Sequence, residues 1–124
     1  MKSVLVIEDD RDNMKLISYA LQRSHYKVFW AESGEKGLNL AFKEKPFFII
    51  IDINLPGMNG LEVARKIRSS QTIGEIPLIA LTSSALVGDR ERIMQAGFNG
   101  YFEKPIDPLT IMEKIHELIK GGEK

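Results

Sequence analysis

Apolar runs alternate along the chain with segments in which apolar residues recur at helical spacing. The apolar and β-branched runs predict strands near residues 3–8, 26–30, 47–52, 77–82 and 99–102. The third and fourth runs are almost continuously apolar, which is typical of parallel strands covered on both faces. The pattern therefore predicts a sheet whose central strands are fully buried.

Amphipathic segments fill the intervals between the predicted strands. Capping residues and helix-ending glycines give these helices the following limits: 12–24, Ser33 to about 44, Asn59 to Arg68 or Ser69, roughly 85–96, and Asp107 to about 120. The last helix has the clearest start, because Asp107 is placed to cap it and Pro108 falls in its first turn.

Strict alternation of strand and helix determines the expected architecture. It predicts an α/β fold with a five-stranded parallel sheet, right-handed crossovers and helices on both faces. We expect the flavodoxin-like, doubly wound (βα)5 arrangement with strand order 2-1-3-4-5, whose ligand crevice lies between strands 1 and 3. Asp9 and Asp52 would then face each other across the crevice. No linker or repeat interrupts the sequence, so we expect residues 1–124 to form a single domain with no output domain.

Composition excludes several classes of protein. Lysine plus arginine and aspartate plus glutamate both count 17, and the net charge of zero gives no support to binding of nucleic acid or of a membrane surface. Cysteine is absent, which excludes disulfides and thiolate metal sites. The N-terminus carries no signal-peptide pattern, and no apolar stretch reaches the length of about 20 residues that a membrane-spanning helix needs. We therefore expect a cytoplasmic protein.

Polar groups stand at the C-terminal ends of four predicted strands. They are Glu8 and Asp9 after the first strand, Asp52 at the end of the third, Thr82 at the end of the fourth, and Lys104 after the last. In an open parallel sheet these ends lie along one edge, where ligands bind. Carboxylates held together repel one another, and a hard cation such as Mg²⁺ relieves that repulsion. The pattern therefore predicts a Mg²⁺ site around one reactive aspartate, Asp52.

The residue types suggest a role for each member of this group. Asp9 and Asp52 are candidate Mg²⁺ ligands, with Glu8 orienting a bound water. Once the cation neutralises the site, the Asp52 carboxylate can attack a phosphoryl group and form an aspartyl phosphate. Lys104 offers a compact positive charge to one phosphoryl oxygen, and the Thr82 hydroxyl can donate to another.

Each assignment has a structural alternative. Glu8 and Asp9 are suited to starting a loop and capping the next helix. Thr82 favours strands in general, and Tyr101 fits a position in the core. Only the combination of these residues with Asp52 at one sheet edge favours the functional interpretation.

Three further side chains receive no role in this interpretation. Trp30 ends the second strand, away from the predicted crevice, and we expect it to serve packing. His25 and His116 have no partner at metal-ligand spacing.

Five segments match one known family in order and spacing. They are Val6-Ile7-Glu8-Asp9, the loop from Asp52 to Gly60 with its Leu-Pro-Gly-Met-Asn-Gly sequence, Thr82, Tyr101 and Lys104-Pro105. On these residues the chain resembles the receiver domains of response regulators in two-component signalling, over essentially its whole length. The acidic pair is Glu-Asp rather than Asp-Asp, a variant that keeps the direct ligand Asp9. The chain looks like a stand-alone receiver of the chemotaxis or cell-division type.

The resemblance implies a phosphoacceptor switch, which catalyses its own phosphorylation and dephosphorylation, rather than an enzyme with free substrates. Asp52 would accept a phosphoryl group from a phosphohistidine of a histidine kinase or of a histidine phosphotransfer protein, assisted by Lys104. Mg²⁺, for which Mn²⁺ can substitute, would be held by Asp9, Asp52 and the Asn54 backbone carbonyl. Glu8 would act through a water.

The resemblance also implies a conformational response. Thr82 and Tyr101 would be the switch residues, and the peptide bond before Pro105 would be cis. Phosphorylation would remodel the face formed by helix 4, strand 5 and helix 5, from about Val87 to Lys120, through which we expect contact with a downstream protein. Ser84, two residues past the switch threonine, lies at a position that tunes dephosphorylation in the family.

Two other classes of protein remain open on the sequence alone. A Mg²⁺-dependent phosphohydrolase would share the aspartate nucleophile, but that class carries a second acid two residues later, where this chain has Asn54. A flavodoxin-like cofactor binder needs a Ser/Thr/Gly-rich anion loop after strand 1, whereas Glu8-Asp9-Asp10 would repel a flavin phosphate. The phosphoacceptor switch is therefore the favoured interpretation.

Overall fold

The computed structural model describes residues 1–83 and 86–122 and shows strands and helices in strict alternation. The strands are β1 (Ser3–Ile7), β2 (Lys27–Ala31), β3 (Phe48–Asp52), β4 (Leu78–Thr82) and β5 (Gly100–Glu103). The helices are α1 (Arg11–Arg23), α2 (Gly34–Glu44), α3 (Gly60–Arg68), α4 (Val87–Gln95) and α5 (Ile111–Gly122). Neighbouring strands are parallel, in the order β2-β1-β3-β4-β5. The predicted doubly wound fold and its strand order are confirmed.

Side-chain alternation along the strands gives the sheet two buried faces. Leu5 and Ile51 lie on the face that packs against α2, α3 and α4, whereas Val4 and Ile50 lie on the face that packs against α1 and α5. Every residue of β3 and β4 is buried, as expected of parallel strands covered on both faces. Strand β2, at the edge of the sheet, is only partly covered. None of the helices in the described part of the chain has the length and apolar character to cross a membrane.

Side-chain caps determine where the first three helices begin. The Asp10 carboxylate accepts hydrogen bonds from the first turn of α1, which therefore starts at Arg11. Ser33 and Asn59 cap α2 and α3 as predicted, and the Asn59 side chain accepts a hydrogen bond from the Glu62 N–H. Each of these caps follows a strand, at the edge of the sheet where the chain enters a helix.

The last helix is regular only from Ile111, later than the predicted start at Asp107. Residues 108–110 form a turn instead. Asp107 nevertheless makes both bonds of an N-cap: its carboxylate accepts a hydrogen bond from the Leu109 N–H at 3.0 Å, and its carbonyl oxygen accepts one from the Ile111 N–H at 3.0 Å. Helix α4 is shorter than the predicted segment, and Ala85, the first residue of that segment, lies outside the described residues.

Gly60 allows α3 to start directly against the end of β3. A Cβ at this position would clash with the Asp52 carbonyl oxygen and lie 2.6 Å from the Ile53 Cα. Both neighbours are backbone atoms, which cannot move aside as a flexible side chain would. The loop that follows Asp52 is therefore folded back on it at a distance that requires glycine.

We expect Gly60→Ala to lower the free energy of unfolding by about 2 kcal/mol, because the added methyl group must displace the Asp52 backbone. Gly88→Ala in α4 is the matched control, since a Cβ there has no neighbour within 4 Å. The control should leave stability unchanged or raise it by up to about 1 kcal/mol through helix propensity. Urea denaturation of both variants measures the difference, and a Gly60→Ala protein as stable as the wild type would contradict the close approach.

Candidate functional site

The ends of β1 and β3 lie side by side and carry three carboxylates. Ile7 pairs with Ile51 in the parallel ladder, so the residues that follow, Glu8 and Asp52, stand at the same level of the sheet. One carboxylate oxygen from each of Glu8, Asp9 and Asp52 lies within 4.8 Å of the other two. The predicted acids therefore meet at one point of the C-terminal edge.

Both oxygens of the Asp52 carboxylate are engaged. Lys104, which follows β5, places Nζ 2.8 Å from Oδ2, and the Asn54 backbone N–H donates to Oδ1 at 2.8 Å. The Asp52 side chain is almost fully buried. The backbone hydrogen bond sets the rotation of the carboxylate, while the lysine supplies positive charge beside it. Asp52 is thus held in one orientation next to the ammonium group of Lys104.

Glu8 is fully buried beside Asp52. Neither of its carboxylate oxygens accepts a hydrogen bond from a described residue, although Lys104 Nζ lies at an ion-pair distance of 3.2 Å from Oε1. Burial raises the pKa of Glu8 from 4.5 to about 8, and the adjacent Asp52 carboxylate acts in the same direction. The arrangement therefore favours the neutral form of Glu8.

The same contacts favour the charged forms of Asp52 and Lys104. Burial opposes ionisation of Asp52, but the neighbouring Glu8 and the hydrogen bonds from Lys104 and the Asn54 amide outweigh the effect of burial and lower the pKa of Asp52. Burial also opposes the charge on Lys104, and the two carboxylates outweigh it and raise the lysine pKa. The site therefore keeps an ionised carboxylate next to a protonated amine at neutral pH.

The acidic cluster has the chemistry of a site for a hard cation. Mg²⁺ takes oxygen ligands, which Glu8, Asp9 and Asp52 offer within one small region. The buried Glu8 oxygens that accept no hydrogen bond would be stabilised by a cation or by a water bound to it. Asp9 is exposed, so the cluster opens to solvent on that side. The residues present therefore fit Mg²⁺.

Asn54 and Thr82 border a cleft on the β4 side of the aspartate. Thr82 ends β4, the strand next to β3, and is buried. The Asn54 side-chain amide donates to Ser83 Oγ at 3.4 Å, which ties the loop after Asp52 to the end of β4. The cleft has a volume of about 410 Å³. The predicted switch threonine thus lies beside the site, while Ser84 lies outside the described residues.

Two further residues singled out in the sequence, Tyr101 and Pro105, lie in β5 and just after it. Tyr101 is partly exposed, and the Arg90 guanidinium of α4 lies 5.9 Å from the centre of its ring. The Lys104–Pro105 peptide bond is cis, as the resemblance implied. A cavity of about 360 Å³ between β5 and α5 is bordered by Tyr101 and Pro105.

Trp30 contacts the site, so the expectation that it only packs away from the crevice is wrong. Its indole N–H donates to the Glu8 carbonyl oxygen at 2.7 Å. Trp30 pairs with Val6 in the β1–β2 ladder, and alternation puts its side chain on the same face of the sheet as Val6 and Glu8. The predicted order already places strand 2 beside strand 1, but the register that pairs Trp30 with Val6 has no signal in the apolar pattern.

The two histidines lie apart from the acidic cluster. His116 Nε2 lies 3.2 Å from the Tyr26 hydroxyl oxygen. His25 follows α1 and adopts a positive φ of 66°. Neither belongs to the group of potential metal ligands found in the described residues.

Comparison with known proteins assigns the chain to a family. The model of the response regulator receiver domain matches residues 4–116, and the chain belongs to this family, which acts in two-component signalling. It is similar to the polar-differentiation response regulator DivK of Brucella ovis, with 40% identity over 114 residues that cover 92% of this chain and 93% of that protein.

Solved structures show the same fold in related proteins. The chemotaxis response regulator CheY4 of Vibrio cholerae matches with a TM-score of 0.90 and 27% identity, over 95% of this chain and 98% of that one. The receiver domain of the sensor histidine kinase PA1611 from Pseudomonas aeruginosa matches with a TM-score of 0.87 and 31% identity, over 96% and 98%. The latter structure holds a magnesium ion coordinated in its active site cleft.

The raised pKa of Glu8 predicts a stability that depends on pH when a chelator removes divalent metal. Between pH 4.5 and about 8 the folded chain holds a proton that the unfolded chain releases, so the free energy of unfolding should fall as the pH rises through this interval. Glu8→Gln removes the charge and the titration. At about pH 7.5 we expect the variant to have a free energy of unfolding about 1–3 kcal/mol higher than that of the wild type. We also expect its free energy of unfolding to decrease less as the pH rises.

Urea denaturation in EDTA, at about pH 5 and about pH 7.5, measures this effect. Glu91→Gln, at an exposed position of α4, is the control and should retain the wild-type dependence. A Glu8→Gln protein that loses stability with rising pH as steeply as the wild type would contradict the assignment to Glu8.

Proposed function

We propose that this chain is a stand-alone phosphoacceptor switch whose phosphorylation site is Asp52. The observation that carries the proposal is the environment of that carboxylate, which is buried 2.8 Å from Lys104 Nζ and lies beside two further acids. An aspartate that served only the fold would gain nothing from two neighbouring carboxylates, because like charges destabilise one another. A site that must bind a cation and a phosphoryl group accounts for all four residues.

The proposed reaction is phosphoryl transfer from a phosphohistidine of a histidine kinase or of a histidine phosphotransfer protein. An oxygen of the Asp52 carboxylate forms a bond to phosphorus while the phosphorus–nitrogen bond breaks. The imidazole nitrogen keeps the electron pair of that bond and takes up a proton from water. Lys104 stays next to the phosphoryl oxygens, and the Thr82 hydroxyl donates to one of them. Attack by water on the aspartyl phosphate later releases phosphate and restores Asp52.

We assign a Mg²⁺ ion to the acidic cluster. When bound, Mg²⁺ would neutralise the carboxylates and the phosphoryl oxygens during transfer. Asp9, Asp52 and the Asn54 backbone carbonyl would hold it, with Glu8 acting through a water, and Mn²⁺ shares the preference for such oxygen ligands. The magnesium ion in the receiver domain of PA1611, which is 31% identical to this chain, supports the assignment.

We propose that the chain works in the cytoplasm through protein partners and without contact to nucleic acid. The equal numbers of acidic and basic residues leave no net positive charge to attract a phosphate backbone. The alignment with DivK of Brucella ovis covers 93% of that protein, so this relative consists almost wholly of the matching domain. This supports a stand-alone receiver that passes its signal to a second protein.

Intact-mass spectrometry tests the proposed acceptor. After incubation with Mg²⁺ and acetyl phosphate we expect one phosphoryl adduct on the wild type, none in EDTA and none on Asp52→Asn, which lacks the nucleophilic carboxylate. Asp12→Asn, at an exposed position of α1, is the matched control and should keep the adduct. An adduct that persists on Asp52→Asn, or steady hydrolysis of phosphate monoesters without an adduct, would contradict the proposal.

We further propose that α4, β5 and α5 form the face that contacts the downstream protein. Arg90 of α4 lies over the ring of Tyr101 in β5, so a displacement of one element alters its contact with the other. Glu113 and Glu117 lie on the exposed side of α5. Leu109 is 81% exposed just before that helix. An exposed leucine beside acidic positions gives this face the mixed apolar and charged character of a protein contact surface.

Nuclear magnetic resonance tests whether this face responds to the site. On addition of Mg²⁺ and beryllofluoride we expect larger shifts of backbone amide signals in α4, β5 and α5 than in α2, because the Thr82 hydroxyl is drawn toward the bound group. Thr82→Ala should reduce the shifts in the face, whereas Thr82→Ser, which retains the hydroxyl, should preserve them. Shifts confined to the strand ends, or equal in Thr82→Ala and wild type, would contradict the switch.

A further inference from the structure

Trp30 connects β2 to the peptide unit between the two acids that follow β1. The indole N–H donates to the Glu8 carbonyl oxygen at 2.7 Å. That carbonyl belongs to the planar peptide unit that joins Glu8 to Asp9, so the hydrogen bond orients the plane from which both residues extend. The Glu8 N–H donates to the Ala31 carbonyl oxygen at 3.0 Å. The last two residues of β2 therefore hold both backbone polar groups of Glu8.

The indole hydrogen bond connects β2 to the chain beyond the last residue pair of the β1–β2 ladder. The ladder between β1 and β2 ends at the pair Ile7 and Ala31, one residue before Glu8. Past that pair the chain must turn from the strand into α1 while it places two carboxylates next to Asp52. The Trp30 side chain supplies a donor at the point where the chain leaves the strand.

Asp9 depends on the indole hydrogen bond more than Asp52 does. Asp52 is held by the Asn54 amide and by Lys104. Asp9 is exposed and lies between the Glu8 carbonyl and Asp10, whose side chain caps α1. The cap restrains the Asp9 backbone on one side, and the indole bond restrains it on the other.

We propose that Trp30 is a positioning residue for the Mg²⁺ site, because its indole N–H orients the Glu8–Asp9 peptide so that both acids converge on Asp52. This inference rests on the proposed function, since the ion is assigned to the same acids. Trp30 touches neither the ion nor the phosphoryl group in this scheme. It acts through the Glu8 carbonyl, which its hydrogen bond directs toward β2.

Trp30 is partly exposed, so a substitution at this position leaves no cavity in the hydrophobic core. The side chain is 37% exposed and borders a groove of about 480 Å³ between α1 and β2, which Tyr19 also lines. The chain contains one tryptophan, so replacement of tryptophan throughout the protein alters position 30 alone. An effect on the metal site can therefore be separated from a loss of the fold.

Tryptophan analogues isolate the contribution of the N–H group. Replacement of Trp30 by benzothienylalanine keeps the shape of the ring and substitutes sulfur for the N–H, whereas azatryptophan keeps the donor. Trp30→Phe is the genetic counterpart, and Tyr19→Phe in the same groove is the matched control. The measurements are the Mg²⁺ dissociation constant by titration calorimetry and the free energy of unfolding in EDTA.

We expect the benzothienylalanine protein and Trp30→Phe to bind Mg²⁺ about fivefold more weakly than the wild type, as the loss of one neutral hydrogen bond implies. The azatryptophan protein and Tyr19→Phe should stay within about twofold of the wild type. The single indole N–H resonance of the wild type should shift when Mg²⁺ is added.

A purely structural role for Trp30 would lower the free energy of unfolding in EDTA and leave the Mg²⁺ affinity of the folded protein unchanged. Equal Mg²⁺ affinity in the wild type and the benzothienylalanine protein would therefore overturn the inference, whatever the stability of the variant. Failure of the wild type itself to bind Mg²⁺ would instead overturn the proposed function, so the two failures are distinguishable.

Discussion

The ion pair between Asp52 and Lys104 is the interaction on which the rest of the site depends. Asp52 ends a strand whose residues are all buried, and burial alone would favour its neutral form. Lys104 at 2.8 Å and the Asn54 amide keep the carboxylate ionised and oriented. Burial and the neighbouring Asp52 carboxylate raise the pKa of Glu8 to about 8, and the charge of Lys104 does not offset them. The excess of carboxylates over cations is what makes this sheet edge suited to a divalent ion.

The topology brings these residues together from distant parts of the sequence. Parallel strands present their C-terminal ends at one edge, so residues at or just past the ends of β1, β3 and β5 converge, although more than half of the chain separates Glu8 from Lys104. Gly60 keeps the loop after Asp52 against the strand end. Strand β2 contributes from the side, through the Trp30 hydrogen bond to the Glu8 carbonyl.

Much of this arrangement could be predicted from the sequence, because its determinants are local or follow from strand order. The apolar runs of β3 and β4 indicate buried parallel strands, and the acids at strand ends indicate a shared edge. The Trp30 contact depends on the register between β1 and β2 and on the direction of one side chain, neither of which an apolar pattern encodes. The cap at Asp107 could be predicted because capping is local, whereas the turn at residues 108–110 that delays the regular part of α5 to Ile111 has no signal in the apolar pattern.

A crystal structure of the protein with Mg²⁺ and beryllofluoride would show whether Asp52 is the phosphoryl acceptor, because beryllofluoride mimics a phosphoryl group on a carboxylate. We expect beryllium bonded to an oxygen of Asp52, a fluorine in contact with Lys104 Nζ, and Mg²⁺ coordinated by Asp9 and Asp52. Beryllofluoride bound to another side chain, or Mg²⁺ located away from the acidic cluster, would contradict the assignment of the site.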